Sequence, residues 1–244
     1  MSAQLPVDTQ RLAEFIVALG QFNGYGSTTA QTKEALDTGS TRPLRDDHDD
    51  RVIFTDILKA IRAVAGTPFS ISSIIAINEQ FDGDSREQPS RPGVLRHRTD
   101  GPIRNSVRID LWPSAEGGSV AYVPPTNVDE WDLQDVVDEF DRSSRSDRDA
   151  WIMFARLAKL QPFQDGNKRT ALLAVNHALG AFASGDFLAP PTGARYRRFT
   201  NQLLEFYGNG LDGSSFPAGE RGEAEALAAF LDTAPARDES GALP

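Results

Sequence analysis

The chain has 244 residues, 39% of them hydrophobic and 25% charged, which suits one substantial globular domain or two small ones. Its net charge of −10 excludes a general nucleic-acid binder, which needs a basic face. Cysteine is absent, which excludes disulfides, thiolate chemistry and thiolate zinc sites. No apolar run approaches the ~18 residues of a membrane span. Met1 to Pro6 lack the basic stretch and apolar core of a signal peptide, so a cytoplasmic location is expected.

In chain order, Asp8-Thr9 caps a helix whose apolar face is Leu12, Phe15, Ile16 and Leu19. Residues 20–27 interrupt it, with Asn23-Gly24 as a turn signal. A short helix over about 29–37 ends at Gly39, and the polar run 41–50 reads as a loop. Asp46 to Asp50 is expected to be solvated surface and helix N-terminal charge. Val52, Ile53, Ile57, Leu58, Ile61 and Val64 mark one face of an amphipathic helix. The next helix, 70–81, turns Ile71, Ile74, Ile75 and Phe81 inward.

Residues 83–93 are loop-like, and the one β signal follows. Val107, Ile109 and Leu111 alternate with polar residues, Glu116-Gly117-Gly118 is a turn, and 120–123 is the return strand. Val128, Trp131, Val136, Val137 and Phe140 mark a helix face, and Trp151, Phe154, Leu157, Ala158 and Leu160 mark another. The apolar run 170–183 is expected to be a central buried helix, followed by helices over 194–207 and 220–231 and a frayed end.

The run Gln161-Pro162-Phe163-Gln164-Asp165-Gly166-Asn167-Lys168-Arg169-Thr170-Ala171-Leu172 reads as an anion-binding loop feeding a helix. Backbone N–H groups at a helix start attract anions, and the helix dipole adds to this. Arg169 offers a planar fork of donors and Lys168 a point charge. Asp165 is a hard oxygen ligand of the kind Mg²⁺ uses beside nucleotide phosphates. Phe163 reads as a core anchor or a ligand contact, and Asn167 either ties the loop down or orients a phosphate.

This run resembles the Fic/Doc (Fido) signature, His-x-Phe-x-Asp/Glu-Gly/Ala-Asn-Gly/Lys-Arg, with Gln161 in place of the histidine. The tail Asn167-Lys168-Arg169-Thr170-Ala171-Leu172 is similar to the Doc branch, and Pro162 to Asn167 to the Fic branch. Gly101-Pro102-Ile103-Arg104 to Tyr122-Val123-Pro124-Pro125 is similar to the family's upstream flap, about 35 residues before the motif. The resemblance covers roughly residues 48–185.

What it implies is an all-α, Fido-like helical bundle with one β-hairpin flap. Residues 1–45 would pack on a domain of 46–210, with the flap at about 101–125 and the motif at 161–172, and 211–244 would form a C-terminal helix and tail. The implied reaction is transfer of AMP or a phosphoryl group from ATP or another nucleotide, with Mg²⁺, to a protein hydroxyl. In that reading Asp165 binds the metal, and Phe163, Gly166, Asn167, Lys168 and Arg169 surround the phosphate. Gln161, Asp165 and Arg169 occupy the catalytic positions, and Arg104, Val107 and Tyr122 serve flap and partner binding.

The family base is the missing histidine, and general-base catalysis is worth about 10²–10⁴-fold. An amide is not protonated near neutral pH, so Gln161 does not supply that step. The three histidines present are His48, His97 and His177. His177 lies eight residues past Arg169, ~12 Å along a helix, and reads as a core residue. His97 sits in an arginine-rich stretch, and Asp165 is a further base candidate in the absence of metal. The second arginine of the Fic branch is Leu172 here, and the nearest counterpart of that family's inhibitory segment is Phe22-Asn23-Gly24, with Asn23 at the Glu position. Arg86, Arg91, Arg96, Arg98, Arg104 and Arg108 form a basic cluster, either a solvated face or a dock for an anionic ligand or acidic partner.

Three readings follow. The first is a nucleotidyl- or phosphotransferase of atypical activity. The second is a catalytically inactive module that binds a ligand or a protein at the flap. In the third the motif is purely architectural, against which stand Asp165, Lys168 and Arg169, since a structural loop does not need two cations and an acid. A protein target or partner is expected at the flap, no nucleic acid and no membrane, with homodimerisation left open.

Overall fold

The computed structural model describes residues 7–85, 88–97, 107–113, 119–209 and 222–237. Among them are ten α-helices and one two-stranded antiparallel hairpin. The first half holds α1 (Thr9–Gly20), α2 (Thr29–Thr38), α3 (His48–Val64) and α4 (Ile71–Glu79), then β1 (Ile109–Pro113) and β2 (Ser119–Tyr122). The second half holds α5 (Glu130–Arg142), α6 (Asp147–Leu160), α7 (Asn167–Ala178), α8 (Ala181–Ser184), α9 (Ala194–Gly208) and α10 (Glu223–Leu231). The fold is the all-α architecture with one hairpin that the sequence implied.

Local chemistry sets the boundaries. Asp8 caps α1 through the Arg11 N–H at 3.0 Å. Reciprocal capping boxes start α2 (Thr28 with Gln31), α5 (Asp129 with Asp132) and α6 (Ser146 with Asp149). Gly39 ends α2 in the left-handed region.

The core is built around α7, whose residues Ala171 to Val175 are at most 1% exposed. It packs on α6 and α4, with α1 and α3 also in contact. A ring cluster of Trp151, Phe154, Phe199 and Phe230 joins α6, α9 and α10, with Trp151 and Phe199 centroids 5.3 Å apart. The Trp151 indole N–H donates to the Pro235 carbonyl at 2.7 Å, which fixes the chain after α10 to the same core.

Four expectations are corrected. The central helix does not run to residue 183. It stops at Ala178, Gly180 turns the chain with φ 70°, and α8 follows. Residues 48–50 belong to α3, and Asp50 is buried rather than solvated. Its carboxylate accepts from the Gly26 N–H at 3.0 Å and the Ser27 hydroxyl at 2.6 Å, and it pairs with Arg45 at 3.0 Å. Trp131 is 78% exposed. The first strand begins at Ile109, so Val107 precedes it, and an irregularity interrupts the register between Asp110↔Ala121 and Trp112↔Val120. The expected turn at 116–118 lies outside the described residues.

Candidate functional site at the α6–α7 junction

Helix α6 ends at Leu160, and Gln161 follows with φ 50° and ψ 58°. Few non-glycine residues adopt this left-handed conformation, and histidine is among those enriched there. The Gln161 side chain is turned inward and is 6% exposed. Its Nε2 donates to the Ala158 carbonyl at 2.6 Å, and its Oε1 accepts from Asn167 Nδ2 at 2.9 Å. Both ends of the amide are engaged in holding the loop.

Asn167 does the rest of that work. Its Oδ1 accepts from the Phe163 N–H at 2.8 Å, and its Nδ2 donates to the Phe163 carbonyl at 2.9 Å. Of the two roles left open for Asn167, its side-chain bonds are those of a loop tie. Phe163 is fully buried, so it anchors the loop in the core rather than facing a ligand.

Gly166 begins the turn into α7 with φ 73°. A Cβ there would stand 2.6 Å from Phe81 Cδ2, so both the conformation and the close approach require glycine. No side chain caps α7, which leaves its first-turn N–H groups to other partners. Asp165 is partly exposed, and its Oδ1 accepts from the Gly166 N–H at 2.5 Å. Its carbonyl accepts from Asn78 Nδ2 at 3.1 Å, and the same nitrogen donates to Thr170 Oγ1 at 3.1 Å.

The two cations differ. Lys168 is partly exposed, with its ammonium 5.6 Å from the Phe22 ring centroid. The turn after α1 thus reaches the motif. Arg169 is fully buried, its guanidinium 4.6 Å from the Phe81 ring centroid, and it donates to Gln88 Oε1 at 3.2 Å. Gln88 donates in turn to Asp56 Oδ2 at 2.7 Å. Burial pushes the Asp56 carboxyl up, and Lys59, 2.8 Å away, pulls it back.

Residues 88–96 therefore lie along the motif. Gln164 Oε1 accepts from the Ser90 N–H at 3.0 Å and the Ser90 hydroxyl at 2.6 Å. Arg96 is 2% exposed and donates to the carbonyls of Gln161 at 2.5 Å, Pro125 at 2.8 Å and Leu160 at 3.3 Å. Its own N–H donates to Pro162 O at 3.0 Å. A buried guanidinium satisfied by backbone carbonyls is a structural clamp, so Arg96 leaves the basic cluster proposed for an anionic ligand. Arg91 and Arg108 are exposed, whereas Arg86, Arg98 and Arg104 lie outside the described residues.

The remaining expected residues divide. Tyr122 is 8% exposed and donates to the Lys159 carbonyl at 2.9 Å, and burial pushes its phenol up to about 12. It fastens the hairpin to α6 and presents nothing to a partner. Val107 is half-buried beside β1. Leu172, in the place of the second arginine, is fully buried. His177 is the core residue expected, against Phe69 and Phe182, and burial pulls its imidazole down. His97 is exposed next to Arg96, and His48 bonds the Asp84 carbonyl at 2.5 Å. Phe81, Asn78, Gln88 and Arg96 complete the site, and none of them carries a motif of its own.

Among the described residues no group of three or more His, Asp or Glu is placed to hold a metal ion. Mg²⁺ at a nucleotide site is commonly held by one or two carboxylates plus the substrate phosphates. Asp165 beside the α7 N-terminus fits that mode and not a preformed protein cage. No helix of the described residues is long and apolar enough to cross a membrane.

The sequence profile of the Fic/DOC family matches residues 68–179. No curated protein matches the chain. Among solved structures, Fic-1 from C. elegans is 17% identical with a TM-score of 0.60, over 94% of this chain and 61% of that one. A Fic domain-containing signaling protein from Bacteroides thetaiotaomicron is 18% identical with a TM-score of 0.58, over 93% and 85%. A Fic family protein from Desulfovibrio desulfuricans is 15% identical with a TM-score of 0.55, over 96% and 65%. The chain thus spans less than two thirds of the C. elegans structure, and at these identities the likeness is one of fold. Residues 68–179 thus match the Fic/DOC family profile, and the helical fold around them is similar to that of the Fic structures.

Proposed function

We propose that the α6–α7 junction binds a nucleotide or phosphate and derives from the Fic/DOC-type transfer of AMP or a phosphoryl group to a protein hydroxyl. Its proton-accepting step is altered because Gln161 stands where that family has histidine. The observation that carries the reading is the uncapped start of α7, headed by Gly166, with Lys168 and Arg169 in its first turn. An uncapped helix start, its dipole and two cationic residues in its first turn are the elements from which phosphate sites are built. ATP and Mg²⁺ are the ligands proposed, with Asp165 on the metal, which when bound supplies charge neutralisation at the phosphates. A protein target meeting the hairpin, in a cytoplasmic setting, belongs to the same proposal.

One observation favours a second reading, a module that binds without turnover. The Gln161 amide is not basic, and its two ends are engaged with Ala158 and Asn167, so residue 161 does not take up the proton of an incoming hydroxyl. Calorimetric titration with ATP, other nucleoside triphosphates and Mg²⁺ tests the binding step common to both readings. The partly exposed Lys168 permits Lys168→Glu without disturbing the core. Saturable binding to the wild type, weakened by about tenfold or more in Lys168→Glu, is expected. Absence of binding by every nucleotide to the folded wild type would overturn both readings.

A further inference from the structure

Away from the motif, a cavity of about 550 Å³ lies between the start of α1, the segment joining α8 to α9, and the residues after α10. Small-molecule sites span about 300–1,000 Å³. Its apolar wall is formed by Phe15, Phe187, Pro190 and Pro191. The Phe15 and Phe187 rings stack with centroids 4.5 Å apart at 13°, and both are buried, so that wall is rigid.

Charged residues also line it, and their formal charges balance: Asp8, Glu14 and Asp186 against Arg11, Arg195 and Arg237. Their engagements do not balance. Asp8 caps α1, Glu14 accepts from Gln10 at 2.7 Å, and Asp186 faces Arg237 at 3.5 Å. Arg237 also grips Asp147 at 2.6 Å. The Arg11 and Arg195 guanidiniums make no ion pair among the described residues. The Arg11 stem is guided by Gly185, where a Cβ would stand 4.0 Å from Arg11 Cδ and 3.2 Å from Val7 Cγ1. The acids of the lining are thus occupied, and two planar donor forks stand beside a rigid apolar wall.

We propose that this cavity is a second ligand site, for a small molecule with a flat apolar body and a single acidic group. The body lies against Phe187 and the two prolines, and the acidic group is held by Arg11 and Arg195, whose forks suit a planar or tetrahedral anion. Nothing in the site depends on the α6–α7 junction.

The test is fluorescence titration of the full chain with anilinonaphthalene sulfonate, an apolar bicycle bearing one anion, and with the neutral N-phenylnaphthylamine. Saturable binding of the sulfonate at one equivalent is expected, weakened by about tenfold or more in the double variant Arg11→Gln/Arg195→Gln. The same variant should leave the neutral probe within about twofold, and Lys168→Glu should leave both unchanged, which separates this site from the nucleotide site. Displacement by naphthoate and not by inorganic phosphate is the expected competition result. Equal sulfonate affinity in the double variant, or displacement by inorganic phosphate alone, would overturn the proposal. Should the double variant melt early, Thr192→Trp, which fills the mouth, must abolish sulfonate binding, and retained binding would overturn it as well.

Discussion

Gly166 carries two constraints at once, a φ of 73° and a Phe81 carbon 2.6 Å from where a Cβ would be. The left-handed conformation alone costs a non-glycine residue about 1–2 kcal/mol. Gly166→Ala is therefore expected to lower unfolding free energy by about 2 kcal/mol or more in urea titration, because the ring must also move. A second residue governs pH dependence. Burial depresses the His177 imidazole below the ordinary 6.5, so the folded state holds it neutral. Its contribution to stability is full above about pH 6.5 and declines as pH falls from there toward the depressed folded value. Thermal melts between pH 7.5 and 5.5 should show that decline, and His177→Phe should flatten it; an unchanged slope would remove His177 as its source. At this scale the motif was legible because Gln161 to Leu172 is contiguous in sequence. Arg96 was not, because five other arginines lie within the surrounding stretch and only the fold selects the one that is buried.

Elements built on clear periodicity fall where the sequence puts them, and those set by tertiary contact do not. Trp131 looked like a core residue because Val128 seemed to share its helix. Helix α5 starts at Glu130, and its inward face is Leu133, Val137 and Phe140. Two residues from Leu133 is about 200° around a helix, which turns Trp131 to solvent. An all-apolar stretch likewise gives no hint that Gly180 breaks the central helix. The segment 88–96 had no regular pattern, yet it bonds Arg169, Gln164, Gln161 and Pro162. Under the proposed reading, Gln88, which accepts from Arg169 at 3.2 Å, would compete with a bound anion for that guanidinium. Gln88→Ala is expected to tighten ATP binding by about fivefold, the equivalent of one hydrogen bond of about 1 kcal/mol, in the same calorimetric titration. Weaker binding would mean that Gln88 supports the site instead of occupying it.

Across the whole molecule, the first and last helices are parts of one core: α1 packs against α7, and Phe230 of α10 stands 5.0 Å from Phe199. The fold class was legible because helical periodicity recurs along the chain with a single alternating stretch. The cavity beside α1 was not, since its lining comes from three separated segments. The central claim is the proposed reading of the α6–α7 junction as a phosphate site with Gln161 at the position of the family's base. The left-handed backbone at residue 161 accommodates histidine, so Gln161→His is the variant that returns the family's base to this position. The most direct test is intact-mass spectrometry of the wild type and Gln161→His after incubation with ATP and Mg²⁺. The account predicts an unmodified wild type and a nucleotide adduct on a hydroxyl side chain of Gln161→His. A folded Gln161→His that neither binds nucleotide nor acquires an adduct would contradict it, as would a wild type that modifies itself equally well.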